Sequence, residues 1–126
     1  MRPWRMDAPV NLQAALDTVD GPWEPLTVAV VNDYDVRVVK VAGEFTWHSH
    51  PDTDELFHVL SGALTIEMDE GDAHLGAGDV YVVPRGRRHR PSSPGGATVL
   101  LFEPSATANT GDTPSHLAAV RRVVGA

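Results

Sequence analysis

Gly43-Glu44-Phe45-Thr46-Trp47-His48-Ser49-His50-Pro51-Asp52-Thr53-Asp54-Glu55 runs directly into Leu56-Phe57-His58-Val59-Leu60-Ser61-Gly62. If the first part is extended, His48 and His50 present two imidazoles to one face, because side chains alternate along a strand. Carboxylates follow at Asp52, Asp54 and Glu55, where the chain enters an apolar run and can fold back over the pair. Two imidazoles and a carboxylate suit a first-row transition metal, and a third imidazole would still leave room for water or substrate. Taken alone, a His-x-His pair more often marks surface histidines. A third imidazole is therefore the feature to look for, and His89 is the candidate. It follows Val80-Tyr81-Val82-Val83-Pro84-Arg85-Gly86, a valine-rich strand ending in a Pro-x-Gly turn that can direct the next residues.

Working outward, short valine-rich runs recur at 26–31, 36–41, 45–48, 55–60, 64–68, 80–83 and 97–102. Turn signals separate them: Asn32-Asp33-Tyr34-Asp35, Ser61-Gly62 and Glu70-Gly71-Asp72. Many short strands at such spacing predict an all-β sandwich or barrel. The alternation of residues 64–68 predicts one wet face. Val38-Val39 breaks the alternation of its run, which predicts a bulge or a strand buried on both faces. Two short terminal helices are expected, over 11–19 with Asn11 as cap and over 115–124 with Ser115 as cap. An isolated helix of that length is marginal in water, so the second must pack on the barrel or a partner. The domain reading is a helical lead-in at 1–25, a barrel at 26–104, and a strap with a short helix at 105–126.

The chain has 126 residues, with 17 acidic against 10 basic residues and no cysteine. That bounds it to one domain and removes disulfides, thiol nucleophiles and Cys-ligated metals. A net charge of −7 argues against nucleic acid and anionic membrane as partners. No apolar run reaches membrane-spanning length, and Met1-Arg2-Pro3-Trp4-Arg5 leads into no signal-peptide core. The reading is a cytoplasmic protein.

The two histidine segments together resemble the cupin superfamily. Its first motif places Gly43, then His48-Ser49-His50, then Glu55 after four residues and Gly62 after six more. Its second appears as Gly78, Pro84, Gly86 and His89, with Ser93 where the family pattern has Asn. The spacer before His48 is one residue short of that pattern. The resemblance implies a double-stranded β-helix (jelly-roll) barrel holding a divalent transition metal, iron, manganese, nickel or zinc, on His48, His50, Glu55 and His89. Periodicity cannot choose between Asp54 and Glu55, since both lead apolar faces. The motif selects Glu55, leaving Asp54 or Asp52 to orient a ligand or cap a loop.

Three functions follow from such a site. The first is a metal-dependent oxygenase acting on a small molecule. The second is a non-redox isomerase, cyclase or lyase with a Lewis-acid metal, for which His58, Asp54 and Tyr81 are the candidate catalytic bases. The third is a non-catalytic small-molecule-binding barrel. The intact ligand set leans towards an enzyme, with the oxygenase first. Arg85, Arg87, Arg88 and Arg90 have the chemistry to grip an anionic substrate, although solvated loop charges are the plainer reading. Trp47 is expected to pack with Phe45 or Phe57, and Trp4 and Trp23 to cover the barrel or a dimer seam. A homodimer is expected from an exposed edge at residues 26–31.

Overall fold

The computed structural model describes residues 8–125, so Trp4 and the extreme N-terminus lie outside the described residues. One helix and six strands follow in order: α1 (Leu12–Leu16), β1 (Leu26–Val31), β2 (Tyr34–Glu44), β3 (Glu55–Met68), β4 (Ala73–Gly76), β5 (Val80–Val83) and β6 (His89–Pro104). The strand order is β1-β2-β6-β3-β4, with β5 also on β3, and every pairing between these strands is antiparallel. This is the expected all-β jelly-roll.

The barrel closes because its long strands turn corners. The first part of β3 pairs with β5 and the far end of β6, and the last part pairs with β4 and the start of β6. The expected hairpin at Ser61-Gly62 is absent: β3 runs straight through it with two register shifts. Gly62 adopts φ 79°, and a Cβ there would collide with the Gly96 carbonyl, itself on a residue at φ 84°. The glycine that reads as a turn is a bend inside one strand, where two backbones approach too closely for a side chain. By contrast, Asn32-Asp33 does make a tight hairpin, with Val31 opposite Tyr34 and Asn32 at φ 56°.

Val38-Val39 is buried on both faces, and its two side chains serve different cores. Val39 faces the barrel interior with Val41, Phe57, Val59, Ile66, Val99 and others. Val38 faces outward, where α1 covers it with Ala15 and Leu16, alongside Val19, Leu26 and Val28. Asn11 caps α1 by accepting from Ala14 N at 2.9 Å. The helix ends at Leu16 rather than Val19: Thr18 Oγ1 donates back to the Ala15 carbonyl, and Lys40 takes the Val19 carbonyl.

The C-terminal helix expected at 115–124 does not form; the segment is a series of turns. Its backbone is satisfied elsewhere. Asn109 holds both the Leu117 carbonyl and the Ala119 N–H, and residues 122–124 bridge to Thr27 of β1. A weak helix former loses to an available strand edge. The β1 edge is thus bridged at Thr27 by the chain's own tail. The run at 45–48 is likewise no strand, keeping the bridge between His48 and His89 and the Phe45 N–H bond to the Pro91 carbonyl at 2.9 Å, while β4 escaped the sequence reading. Among the described residues no helix is long and apolar enough to cross a membrane.

Candidate metal centre

His48 and His89 exchange backbone hydrogen bonds, His48 N to the His89 carbonyl at 3.0 Å and the reverse at 2.8 Å. This reciprocal pair places their imidazoles side by side at the barrel mouth, with centroids 4.3 Å apart. His50 lies two residues beyond His48, held by Gly86 N donating to its carbonyl at 2.9 Å. Glu55 opens β3. Turn geometry at Pro84-Arg85-Gly86 therefore positions both a histidine backbone and the strand that begins at His89.

One ligand atom from each of His48, His50, Glu55 and His89 lies within 4.8 Å of all the others, and all four residues are buried. The sequence-derived ligand set is thus brought together in space. His48 Nδ1 meets the Thr46 carbonyl at 2.7 Å and His89 Nδ1 meets the Arg87 carbonyl at 2.9 Å. Each contact assigns the ring proton to Nδ1 and leaves Nε2 free to coordinate. Glu55 Oε1 is 3.2 Å from His50 Nε2 and 3.4 Å from His89 Nε2. None of these three atoms has a hydrogen-bond partner. Buried polar atoms that approach without bonding are costly unless something between them accepts their lone pairs. The Glu55 Oε1 distances to the two imidazole nitrogens match donors on neighbouring positions of one ion, about 3 Å apart for bonds of 2.0–2.2 Å. The residues present therefore fit a divalent metal.

Electrostatics agree. Burial and the neighbouring His89 push the His48 pKa down to about 4, against the Thr46 carbonyl and Glu55, so His48 is a neutral donor near pH 7. Burial alone would raise Glu55, but contacts with His50 and His89 outweigh it and hold the carboxyl below its usual range. Beside it, burial and then the Glu55 charge raise Glu103 well above its usual range.

Glu103 is the residue the sequence reading missed. It sits opposite Glu55 across β3 and β6, given Leu56 against Phe102, and is fully buried. Arg37 Nη1 donates to its Oε2 at 3.2 Å, while Oε1 has no partner. Parity was the available signal: Glu103 continues the inward series Val99 and Leu101, as Asp35 and Arg37 precede Val39 and Val41.

The three candidate bases do not join the cluster. Asp54 accepts from the Arg85 N–H at 2.8 Å and caps the loop. His58 lies on the outer face, because its neighbours Phe57 and Val59 point into the barrel. Tyr81 directs its hydroxyl at the Met68 sulfur, 3.7 Å away. The arginines are spent on carboxylates of their own chain: Arg85 on Asp54, Arg87 on Glu70, Arg88 on Asp69, and Arg90 on Glu67 and Glu44. Trp47 packs with neither phenylalanine; Arg88 and Arg90 lie over its ring at 4.4 and 5.2 Å. Trp23, rather than covering a seam, is buried in the barrel core against Phe45. Over the mouth, Asp112 takes the Ser49 N–H and hydroxyl, tying the C-terminal strap to the segment between the two histidines.

Residues 35–104 match Cupin_2, the cupin domain family. The uncharacterized protein YdbB of Bacillus subtilis (strain 168) is 42% identical over 84 residues, 66% of this chain and 74% of that protein. The crystal structure of a cupin-2 domain containing protein from Shewanella frigidimarina NCIMB 400 aligns with TM-score 0.74 and 38% identity, covering 75% of this chain and 93% of the other. Hydroquinone 1,2-dioxygenase PnpCD, solved with Cd2+ and 4-hydroxybenzonitrile, shares the fold at TM-score 0.63 and 17% identity, over 82% of this chain and 71% of that one. Motif, barrel and match over more than half its length agree that this chain belongs to the cupin domain family.

Proposed function

We propose that the chain is a metal-dependent enzyme of oxygenase type acting on a small molecule, with His48, His50, Glu55 and His89 as the ligands. The observation that carries this reading is the set of three buried, unbonded donor atoms on His50, Glu55 and His89 facing one another beside His48. Three imidazole nitrogens and one carboxylate suit iron(II) and leave positions open. When bound, iron would supply a redox centre able to take substrate and dioxygen side by side. The protein's own part is to fix that geometry. The Thr46 and Arg87 carbonyls set two imidazole tautomers, Phe45 and Phe57 meet the His48 and His89 rings edge-on, and the Glu103 carboxyl, raised well above its usual range by burial and the Glu55 charge, lies beside Glu55. The dioxygenase named among the structural neighbours supports the oxygenase choice as an analogy of fold only.

The test loads purified protein with iron(II) without oxygen and then follows oxygen uptake with small phenols, beside His89→Ala. Uptake in the wild type alone is the expected result. Turnover without oxygen uptake would move the assignment to Lewis-acid chemistry, and equal metal content in both proteins would remove His89 from the ligand set. The same reading includes a cytoplasmic homodimer, for which the missing cysteines and the exposed Val80 and Val82 on β5 speak. Light scattering giving about twice the 13.6 kDa chain mass is the expected outcome, and the single-chain mass would remove the dimer.

A further inference from the structure

The C-terminal strap, which follows the last barrel strand, stands between two spaces of very different size. On its inner side Asn109 shares a space of about 40 Å³ with His48 and Glu55. A single water takes up at least about 10–15 Å³ of such space, so a few waters fit there and an organic substrate does not. On its outer side Ala106, Thr107, Ala108, Gly111 and Asp112 face His50 and Thr53 across a cleft of about 400 Å³. That is within the usual range for small-molecule sites. The strap lies hard against the ligand segment. Gly111 has φ 57°, and a Cβ there would collide with the Ser49 carbonyl and come within 3.1 Å of the His48 ring. With the strap in this position His48, His50, Glu55 and His89 are each at most 5% exposed.

How the strap is held differs along its length. Its ends are anchored in buried structure: Arg37 donates to the Ser105 and Thr107 carbonyls, and Arg121 to Asp35. Its middle is bonded largely to itself, Gly111 N to the Ala108 carbonyl, Thr113 N to the Thr110 carbonyl, and Asn109 to Leu117 and Ala119. A small latch joins that middle to the barrel mouth. The Asp112 N–H donates to the Ser49 carbonyl at 3.1 Å, and its carboxylate accepts from the Ser49 N–H at 3.0 Å and the Ser49 hydroxyl at 3.1 Å. Ser115 Oγ meets Thr46 Oγ1 at 2.7 Å, and Leu117 packs on the core. Both side-chain bonds of Asp112 are exposed, and a segment held by exposed hydrogen bonds and few apolar contacts opens locally at less cost than the sheet beneath it.

We infer that residues 108–118 are a gate over the metal centre, with Asp112 on Ser49 as its latch. The strap lifts between its anchored ends, joins the inner space to the outer cleft and so admits the substrate. The inference rests on the metal reading above and adds the entry route to that site. Closed, the gate keeps bulk water from the four ligands, which is what lids over reactive centres do.

The experiment compares the full chain with Asp112→Ala, which removes the two side-chain bonds of the latch, and with Asp112→Asn, whose amide can still accept from the Ser49 N–H and donate to its hydroxyl. In the metal-free proteins, hydrogen exchange at the Gly111 and Thr113 amides should be about tenfold faster in Asp112→Ala, with the amides of β3 and β6 unchanged and Asp112→Asn close to wild type. Zinc uptake, and zinc removal by excess chelator, should both accelerate in Asp112→Ala by about the same tenfold, leaving Kd within about threefold, because a gate alters the path and not the bound state. Strap amides that exchange no faster in Asp112→Ala, or faster exchange with unaltered zinc rates, overturn the gate and leave the metal reading standing. A loss of affinity with unaltered uptake also overturns it and makes Asp112 a brace for the two histidines. If the wild type binds no zinc, the metal reading falls, and the exchange comparison in the metal-free proteins still decides whether the strap opens.

Discussion

Two clusters of buried charged and polar side chains meet near one end of this barrel, and they differ in how their hydrogen bonds close. Asp35, fully buried, accepts from Thr27, Ser105, Arg37 and Arg121. Arg37 continues to Glu103 and to the Ser105 and Thr107 carbonyls. Burial would raise the Asp35 carboxyl, but the bonds from Arg121, Ser105 and Thr27 and the Arg37 charge hold it far below the usual carboxylate range. A few ångströms away the histidine and Glu55 cluster leaves three donor atoms without partners. A network that completes itself is structural; one that converges and stays open is built for something not supplied by the chain. Glu103 belongs to both, with one oxygen on Arg37 and the other orphaned beside Glu55.

The sharpest way to break this contrast is Asp35→Ala, which removes the buried carboxylate that Thr27, Ser105, Arg37 and Arg121 share. It should cost about 3–5 kcal/mol of stability by urea denaturation. A loss below about 1 kcal/mol would mean that the network is not what holds β2, β6 and the C-terminal tail together.

The open cluster predicts a pH response in the metal-free protein. His48 is lowered from 6.5 to about 4 in the folded state. Folding therefore keeps it neutral, and the associated stability is complete above about pH 6.5 and lost as pH falls through about 4. At 1.36 kcal/mol per unit the loss is about 3 kcal/mol, and His48→Gln should flatten that limb of the profile. An unchanged profile in the variant would place the acid sensitivity elsewhere.

Metal should act on one cluster only. At a free concentration a hundred times its Kd, zinc or manganese should stabilise the wild type by about 2.7 kcal/mol, read as a rise in Tm. Glu55→Gln should abolish that rise yet leave the metal-free protein within about 1 kcal/mol of wild type, because it removes a buried charge rather than orphaning one. A Glu55→Gln loss as large as that of Asp35→Ala would erase the distinction between the clusters.

The smallest effect concerns the outside of the mouth. Trp47, Arg88 and Arg90 flank His48 and His89 on the opposite face of the bridge. Arg90→Ala should cost about 1 kcal/mol through the lost ring contact and the lost ion pairs to Glu67 and Glu44 and weaken metal binding several-fold in a competition with a chelating dye. Unaltered metal affinity would make this clamp purely structural.

Much of the architecture was legible because it depends on local pattern. Valine runs marked β1 and β5 at their observed bounds, and Val38-Val39 announced two cores by breaking its own alternation. The resemblance to the cupin motifs pointed to His48, His50, Glu55 and His89, four side chains that do converge. Ser61-Gly62 was misread because a glycine at positive φ serves a hairpin and a strand corner equally, and only the close Gly96 carbonyl tells them apart. Residues 115–124 were misread because their helical periodicity competes with an edge at Thr27 that no local window contains.

The chain's own order of residues was enough to determine which faces are apolar, since that follows from residue type and a period of two, whereas the family motif, not the period, selected Glu55 over Asp54. Tertiary structure alone decided which carboxylates are closed off and which are left open: Asp35 is completed by Arg121, 86 positions away, while Glu103 has one oxygen on Arg37, 66 positions away, and the other without a partner. The physical reason is that the fate of a buried charge depends on every partner within hydrogen-bond reach, and those partners arrive from strands that only folding brings together.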